Sequence, residues 1–213
     1  MKIKSFLLAT AAILLGCVSL SAQTPEEIIQ KMDEQMTRME TEGYTMDLII
    51  KMPLIGEIRT HNLIAGEKLK STASAKDKTT TMWTEKNTQW EYDQETGVVT
   101  ITTKENSSSS SDSVDSNMKA FKGITNGYKV VLQKETADAW YFLCKKLPSN
   151  KDKDDPARMD LAVAKATYLP LYLRAKKSIV SVGIENLTLG VSEQEVTFNP
   201  DDYPGVKIVD NRK

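Results

Sequence analysis

The spacing of the apolar residues changes abruptly at Gly43, and this change constrains the fold more than any other feature of the chain. Before it, apolar side chains recur every three or four residues from Ile28 to Met39, which is the spacing of one helix face. After it, every second residue from Tyr44 to Met52 is apolar, which is the spacing of one face of a strand. The sequence therefore predicts a helix that leads directly into a sheet.

The predicted helix spans Thr24–Thr41 and has residues typical of a helix at both ends. Thr24 can act as the N-cap, Pro25 suits the first helical position, and two glutamates follow. Gly43 is suited to end the helix. The apolar stripe is rich in methionine, a flexible side chain that fits irregular apolar surfaces. We expect the stripe to pack on a sheet, and the sequence leaves open whether it also contacts a ligand.

Short strand patterns separated by turn residues follow from Tyr44 to Phe198, and we count about eleven of them. Because such short connections join antiparallel neighbours, an antiparallel sheet and the fold class α+β are predicted. One interruption is a serine-rich stretch followed by a short predicted helix at Val114–Phe121. The last strand is predicted at Gln194–Phe198, and Val206–Val209 is predicted to be a short closing segment.

Residues 1–22 have the composition of a secretory signal peptide, since two lysines precede an apolar run that is too short to span a bilayer. Small residues before Gln23 predict cleavage after Ala22, which would give a soluble periplasmic protein. The sequence Leu-Leu-Gly-Cys that ends at Cys17 looks like a lipobox, whose cysteine would be acylated. We expect cleavage after Ala22, and anchoring to a membrane through Cys17 is the alternative.

The composition of residues 23–213 is that of one domain without the chemistry of common enzymes. These residues include 26 basic and 29 acidic side chains, a net charge of −3, with no basic cluster in the sequence that would suit nucleic acid. His61 is the only histidine, so a histidine-based triad or a multi-histidine metal site is excluded. There is no phosphate-binding glycine loop and no G-x-S-x-G elbow. We therefore predict no catalytic residues, no metal site and no cofactor.

Two further features have ordinary structural interpretations. Cys144 would be the only cysteine after cleavage, so it has no internal disulfide partner, and its apolar surroundings predict a buried side chain. Aspartates at positions 152, 154 and 155 could attract a cation, but lysines alternate with them, which favours a solvated charged loop.

Three short motifs resemble the LolA/LolB-like outer-membrane lipoprotein carriers. The C-terminal residues Val196–Lys213 read V-T-F-N-P-D-D-Y-P-G-V-K-I-V-D-N-R-K, which is similar in order to the strand, Pro/Gly turn, strand and polar tail of that family. The stretch Gln89–Asp93 resembles its strand with a Trp-x-Tyr core, and Tyr168–Leu171 resembles the tract that opens its later strands. The resemblance covers Thr24 to Lys213.

The resemblance implies an open, incomplete antiparallel β-barrel wrapped around the N-terminal helix, with a short helical lid insertion. It also implies a periplasmic carrier that holds lipoprotein acyl chains or another lipid in an apolar cavity and moves them toward the outer membrane. Its partners would be those acyl chains, an inner-membrane release machinery and an outer-membrane receptor. A membrane-anchored lipid receptor and a non-transporting envelope module of the same fold are alternatives. A hydrolase with dispersed acidic residues is the least supported alternative.

The predicted cavity combines the helix stripe with two strands, because methionine and aromatic side chains offer broad apolar contact to acyl chains. Its candidate lipid-binding residues are Met32, Met36, Met46, Leu48, Ile50, Trp90 and Tyr92. A packed core formed by the same residues is the competing interpretation. One departure bears on the cargo: carriers of this family often have an Arg-Pro pair in an early strand, whereas the corresponding stretch here, Ala65–Leu69, has neither residue. That departure leaves the fold intact and puts lipoprotein as the cargo in doubt.

Overall fold

The computed structural model describes residues 23–75, 78–103, 124–153 and 155–212. The predicted signal peptide with Cys17 and the predicted helical insertion at Val114–Phe121 lie outside these residues. No helix in the described ranges is long and apolar enough to cross a membrane.

Helix α1 spans Pro25–Glu42, and Thr24 is its N-cap as predicted. The Thr24 hydroxyl accepts a hydrogen bond from the backbone N–H of Glu27 (3.2 Å), and the Glu27 carboxylate accepts one from the backbone N–H of Thr24 (3.0 Å). This reciprocal pair satisfies two donors that a helix N-terminus otherwise leaves unpaired. The helix ends at Gly43, whose φ of +66° is disfavoured for any residue with a side chain.

The strands form one sheet, and most consecutive strands are joined by short turns. Their bounds are β1 Tyr44–Met52, β2 Gly56–Ala65, β3 Lys68–Ala75, β4 Lys78–Glu85, β5 Thr88–Asp93, β6 Val98–Thr103, β7 Tyr128–Glu135, β8 Ala139–Lys146, β9 Arg158–Ala164, β10 Pro170–Lys177, β11 Val180–Leu189 and β12 Lys207–Asp210. A short helix, α2, spans Ile124–Gly127, and a 3₁₀ turn spans Pro200–Asp202.

The strand order in the sheet is β12-β6-β5-β4-β3-β2-β1-β11-β10-β9-β8-β7. Two runs of sequential hairpins, β1 to β6 and β7 to β11, are therefore joined where β1 pairs with β11. All pairs are antiparallel except β12 with β6, which is parallel. The described strands number twelve in an open sheet, close to the predicted count.

The prediction of a strand at Gln194–Phe198 is wrong. These residues form a turn followed by irregular chain, and the segment from Gly190 to Val206 runs across the sheet rather than within it. Val196 and Phe198 alternate with polar residues as in a strand, but they lie on top of the sheet and pack against its strands. Val196 is fully buried beside Ala65.

The main core lies between α1 and one half of the sheet. Its buried side chains come from α1, β1 and β7 to β11, and include Ile28, Met36, Met46, Phe142 and Leu161. Each of the larger buried side chains removes enough apolar surface from water to contribute about 1.5–3 kcal/mol. Burial of one helix face therefore holds α1 on the strands that the seam between β1 and β11 brings together.

Candidate functional site

The two faces of the sheet have different partners, and the strand pairing shows which side chains share a face. Residues directly opposite each other in neighbouring strands project from the same face of a sheet. Met46, which packs against α1, lies opposite Asn62, then Ser71 and Met82 in the next two strands. We call this the inner face and the opposite side the outer face.

Five of the seven predicted lipid-binding residues meet on the inner face. Met32 and Met36 of α1 and Met46 of β1 have no exposed surface, and Leu48 is 5% exposed. Ile50 is half-buried and packs against the same cluster. The helix stripe and the first strand therefore come together as the sequence predicts, and they do so as closely packed side chains.

The other two predicted residues, Trp90 and Tyr92, lie on the outer face, so the seven do not line a single cavity. Trp90 is opposite Trp83 in β4, and the next residue, Met82, is on the inner face. The ring of Trp90 stacks on Phe198 with centroids 5.8 Å apart, and Tyr92 lies 4.8 Å from Tyr203. These aromatic rings therefore attach the Gly190–Val206 segment to the outer face, away from α1.

Methionine is concentrated where α1 meets the inner face. Besides the three predicted methionines, Met39 of α1 and Met159 of β9 are buried in the same cluster, each with 4% exposure. Methionine has three rotatable side-chain bonds and a polarizable sulfur, so it fills differently shaped apolar spaces at low cost. Sequence reasoning missed Met159, although its alternation with the exposed Arg158 and Asp160 places it on the covered face of β9.

The inner face becomes more polar beyond β1, although Leu69 and Met82 are also buried on it. Asn62, Ser71, Thr84 and Gln89 are all buried on it, with exposures between 1% and 5%. The Asn62 amide donates hydrogen bonds to the carbonyl oxygens of Met46 (3.4 Å) and Thr60 (3.2 Å). The inner face therefore has an apolar half beneath α1 and a polar half on β2 to β5.

Among the residues that the structure describes, two acceptors in the polar half have no hydrogen-bond partner. They are the Thr84 hydroxyl oxygen and the Gln89 side-chain oxygen, which sit directly opposite each other in β4 and β5. Leaving a buried polar atom unpaired costs about 1–3 kcal/mol, so such atoms are uncommon in folded proteins. Sequence reasoning missed this pair, although each residue alternates with a tryptophan that marks the opposite face.

Two titratable groups with shifted pKa values, Cys144 and Asp47, have structural roles. Cys144 is buried as predicted, and burial raises the pKa of its thiol to about 12, which keeps the thiol protonated. Asp47, on the outer face, accepts hydrogen bonds from His61 (2.7 Å), Asn186 (2.9 Å) and Arg59 (3.3 Å). Desolvation opposes ionisation of this carboxyl, but the three donors outweigh it and lower the pKa of Asp47. Half of the His61 side chain is exposed.

Two cavities open on the outer face. One, of about 470 Å³, lies between β2 to β4 and the Gly190–Val206 segment, and is lined by Lys70, Trp83 and Tyr203 among others. The second, of about 690 Å³, lies over β1, β2 and β9 to β11, and its lining includes Arg59 and Arg174. Within the ranges that the structure describes, no group of three or more His, Cys, Asp or Glu side chains is placed to hold a metal ion.

The fold and this site define a class of protein: an open antiparallel sheet whose amphipathic inner face is partly covered by one helix. No family model and no curated protein matches the chain. Among solved structures, the chain is similar to an uncharacterized conserved protein from Thermus thermophilus, at 11% identity and a TM-score of 0.44 over 89% of this chain and 100% of that chain.

Two other similar structures are of proteins with names. One is the LolA superfamily protein NE2245 from Nitrosomonas europaea, at 11% identity and a TM-score of 0.32 over 84% of this chain and 100% of that chain. The other is the Pseudomonas aeruginosa MucA/MucB complex, at 8% identity and a TM-score of 0.43 over 82% of this chain and 60% of that chain. The LolA superfamily, which the sequence resembles, is thus among the neighbours of the structure. At these identities, the function has to be argued from the residues of the chain itself.

Proposed function

We propose that the chain is a non-enzymatic lipid-binding protein of the bacterial envelope that holds acyl chains between α1 and the inner face of the sheet. The observation that carries the proposal is the amphipathic inner face, in which a methionine-rich apolar half continues into a polar half with two acceptors that are unpaired among the described residues. A lipid has the same two parts, an apolar chain and a polar head.

The apolar half would receive the acyl chain. Met32, Met36 and Met46 fill the space between helix and sheet, so a chain enters only if these side chains take other rotamers or α1 shifts. Methionine suits such a change because its rotamers differ little in energy and its sulfur keeps favourable contact with apolar atoms. A core of branched side chains would resist the same rearrangement, since each has fewer rotamers.

The polar half would receive the head group or the first residues of a lipoprotein. The Thr84 and Gln89 oxygens can each accept a hydrogen bond from a ligand hydroxyl, amide or amine. Pairing them would remove the cost of two buried unpaired acceptors, so it contributes to binding without new strain.

The proposed setting follows from residues 1–22. Export and cleavage after Ala22 would place a soluble carrier in the periplasm, with its single domain at 23–213. There it would move lipid or lipoprotein toward the outer membrane, between an inner-membrane release machinery and an outer-membrane receptor. Acylation of Cys17 would instead hold the same domain at a membrane as a receptor.

A second candidate is a packed envelope module that binds no lipid. The observation in its favour is that Met32, Met36 and Met46 are fully buried, and that the two cavities described above lie on the other face. Both candidates share the fold and differ in whether the methionine layer opens.

Native mass spectrometry of protein purified from the envelope separates the two candidates. Co-purified acyl lipid or lipoprotein supports the carrier, and a ligand-free protein that also ignores fluorescent fatty-acid probes supports the module. Thr84→Val removes one unpaired acceptor at nearly constant volume, so it should lower lipid retention without lowering stability. Thr81→Val, on the outer face of the same strand, is the matched control and should leave retention unchanged.

A further inference from the structure

One end of the sheet presents three large apolar side chains to solvent. Leu54 is 98% exposed and Ile55 54% exposed in the β1–β2 turn, and Ile179 is 67% exposed in the β10–β11 turn. The two turns are neighbours because β1 pairs with β11, with Lys51 opposite Ser181 beside them. Single exposed apolar residues are ordinary, whereas a group at one end needs an explanation. We call Leu54, Ile55 and Ile179 the apolar tip.

A row of cations crosses the outer face directly behind the apolar tip. Lys51 lies opposite Ser181, which lies opposite Lys176. The next pair in the β9–β10 register is Lys176 with Arg158, since pairing is observed up to Ala175 with Met159. The row continues through Arg158 opposite Lys145 and Lys145 opposite Lys129. We call Lys51, Lys176, Arg158, Lys145 and Lys129 the basic row.

The basic row is exposed and mostly uncompensated. All five side chains are exposed. In the described part of the chain, Lys129, Lys145 and Lys176 have no ion pair, Arg158 has a distant one with Asp160 (3.9 Å), and Lys51 pairs with Glu57 (2.9 Å). Like charges directly opposite each other in a sheet are destabilising. The observed strand pairing gives two such pairs in the row, Arg158 with Lys145 and Lys145 with Lys129. The row spans roughly 24 Å, from a strand spacing of about 4.8 Å.

The outer-face cavity of about 690 Å³ lies against the same row. Lys51, Arg158 and Lys176 contribute to its wall, together with Arg59 and Arg174. Two carboxylates, Asp160 and Glu185, also line it, so cations exceed anions five to two. Gly183 lies in its lining, where a side chain would occupy part of the space. The cavity therefore has room and charge for a phosphate-bearing group.

We propose that this end of the sheet docks onto a bilayer that contains anionic phospholipid. The apolar tip enters the boundary between head groups and acyl chains, and the basic row contacts the lipid phosphates. Apolar side chains flanked by lysine and arginine are the composition of surfaces that lie in a membrane interface. The protein carries net negative charge, so attraction to an anionic surface requires a local concentration of cations such as the basic row. The docking surface does not include the residues of the inner face and does not depend on the proposed lipid cargo.

Vesicle flotation tests the proposal, using protein purified from cells that express the full chain with Cys17→Ser in every variant. That substitution ensures that no attached acyl group can carry the binding. Vesicles of phosphatidylethanolamine with phosphatidylglycerol should bind the protein at low salt, and vesicles of phosphatidylcholine alone should bind it far less. Raising the salt to about 0.5 M should release most of it, because exposed charges are then screened.

Matched substitutions assign the binding to the two surfaces. Leu54→Ser with Ile179→Ser should weaken binding about tenfold or more, from the loss of buried apolar area. Lys176→Gln should weaken it about fivefold, the effect of one cation near an anionic surface. Ile208→Ser and Lys207→Gln change a half-exposed apolar residue and an exposed lysine on β12, at the far edge of the sheet, and should have no effect.

Three results would overturn the proposal: no flotation with anionic vesicles, unchanged flotation of the Leu54→Ser with Ile179→Ser variant, or an equal loss for Ile208→Ser. Capture of an acidic protein by a chain that ignores vesicles would mean that the surface binds protein instead. Because the changed side chains are exposed, thermal unfolding should be the same in all variants. If lipid co-purifies with a chain that does not bind vesicles, the docking proposal fails and the proposed acyl-chain site is unaffected.

Discussion

Replacing Gly43 with alanine should be among the most damaging single changes in the chain. Gly43 joins α1 to β1 with φ +66° and ψ 163°, a conformation that only glycine adopts without strain. A Cβ at this position would lie 2.2 Å from the carbonyl oxygen of Val191 and 2.9 Å from that of Ile64. Both neighbours are backbone atoms, so no side chain can rotate away to make room.

The expected cost has two parts. The disfavoured backbone conformation contributes about 1–3 kcal/mol. Displacing the packed Val191 backbone adds about 1–3 kcal/mol, the usual cost of forcing extra atoms into a filled space. The total of roughly 2–6 kcal/mol is a large fraction of the 5–15 kcal/mol by which domains are stable. The hydrogen bond from the Gly190 N–H to the Gly43 carbonyl (3.1 Å) would also be disturbed.

Urea unfolding followed by circular dichroism measures this cost, and Gly97→Ala is the matched control. Gly97 also has a positive φ, of +63°, but nothing lies within 4 Å of its Cβ position. Gly97→Ala should therefore lower the free energy of unfolding by only about 1–2 kcal/mol, the backbone contribution alone. If the two substitutions lower the free energy of unfolding equally, contact of the new Cβ with the Val191 backbone adds no cost. The reasoning would then fail.

Three further changes have defined outcomes. Thr24→Ala removes the capping hydroxyl and should lower the free energy of unfolding by about 1 kcal/mol, while Thr41→Ala near the exposed helix end should cost less. Phe198→Ala should lower the free energy of unfolding by about 2–3 kcal/mol. It should also shift the tryptophan emission to longer wavelength, because the Phe198 ring covers Trp83 and Trp90. An unchanged spectrum would contradict that packing. The pKa of Asp47 in the folded protein lies below its unfolded value near 3.8. Ionised Asp47 therefore stabilises the fold at pH values above 3.8. This contribution is lost as the pH falls through the folded pKa. Asp47→Asn should therefore flatten the acid limb of the stability profile measured between about pH 5 and pH 2.

Local structure could be predicted well from the sequence because its causes are local. Thr24, Pro25 and Gly43 set the ends of α1 through caps and backbone preferences that depend only on adjacent residues. The hairpins from β1 to β6 follow from alternation and turn residues in the same way. The strand predicted from Tyr44 to Met52 has the observed bounds.

The assignment of faces could not be predicted, because alternation shows that a strand has two sides without showing which side faces which neighbour. Trp90 shares a face with Trp83 only through the register of β4 with β5, and its relation to Met46 depends on three more registers. The parallel pairing of β12 with β6 joins residues more than a hundred positions apart, so no local pattern indicates it. Val196 and Phe198 have the alternation of a strand, and only the sheet beneath them shows that they are anchors instead.

The seam between β1 and β11 has a consequence for how the chain folds. Each run of hairpins consists of contacts between sequence neighbours, which form quickly, whereas the seam joins residues about 130 to 145 positions apart. Until β11 has been made, one side of β1 has no strand to pair with, and the side chains that will face α1 there lack half of their surroundings. An unpaired strand edge of this kind promotes association between chains. Closure of the seam is therefore the expected slow step of folding, and the chain is most prone to aggregate in the interval before it.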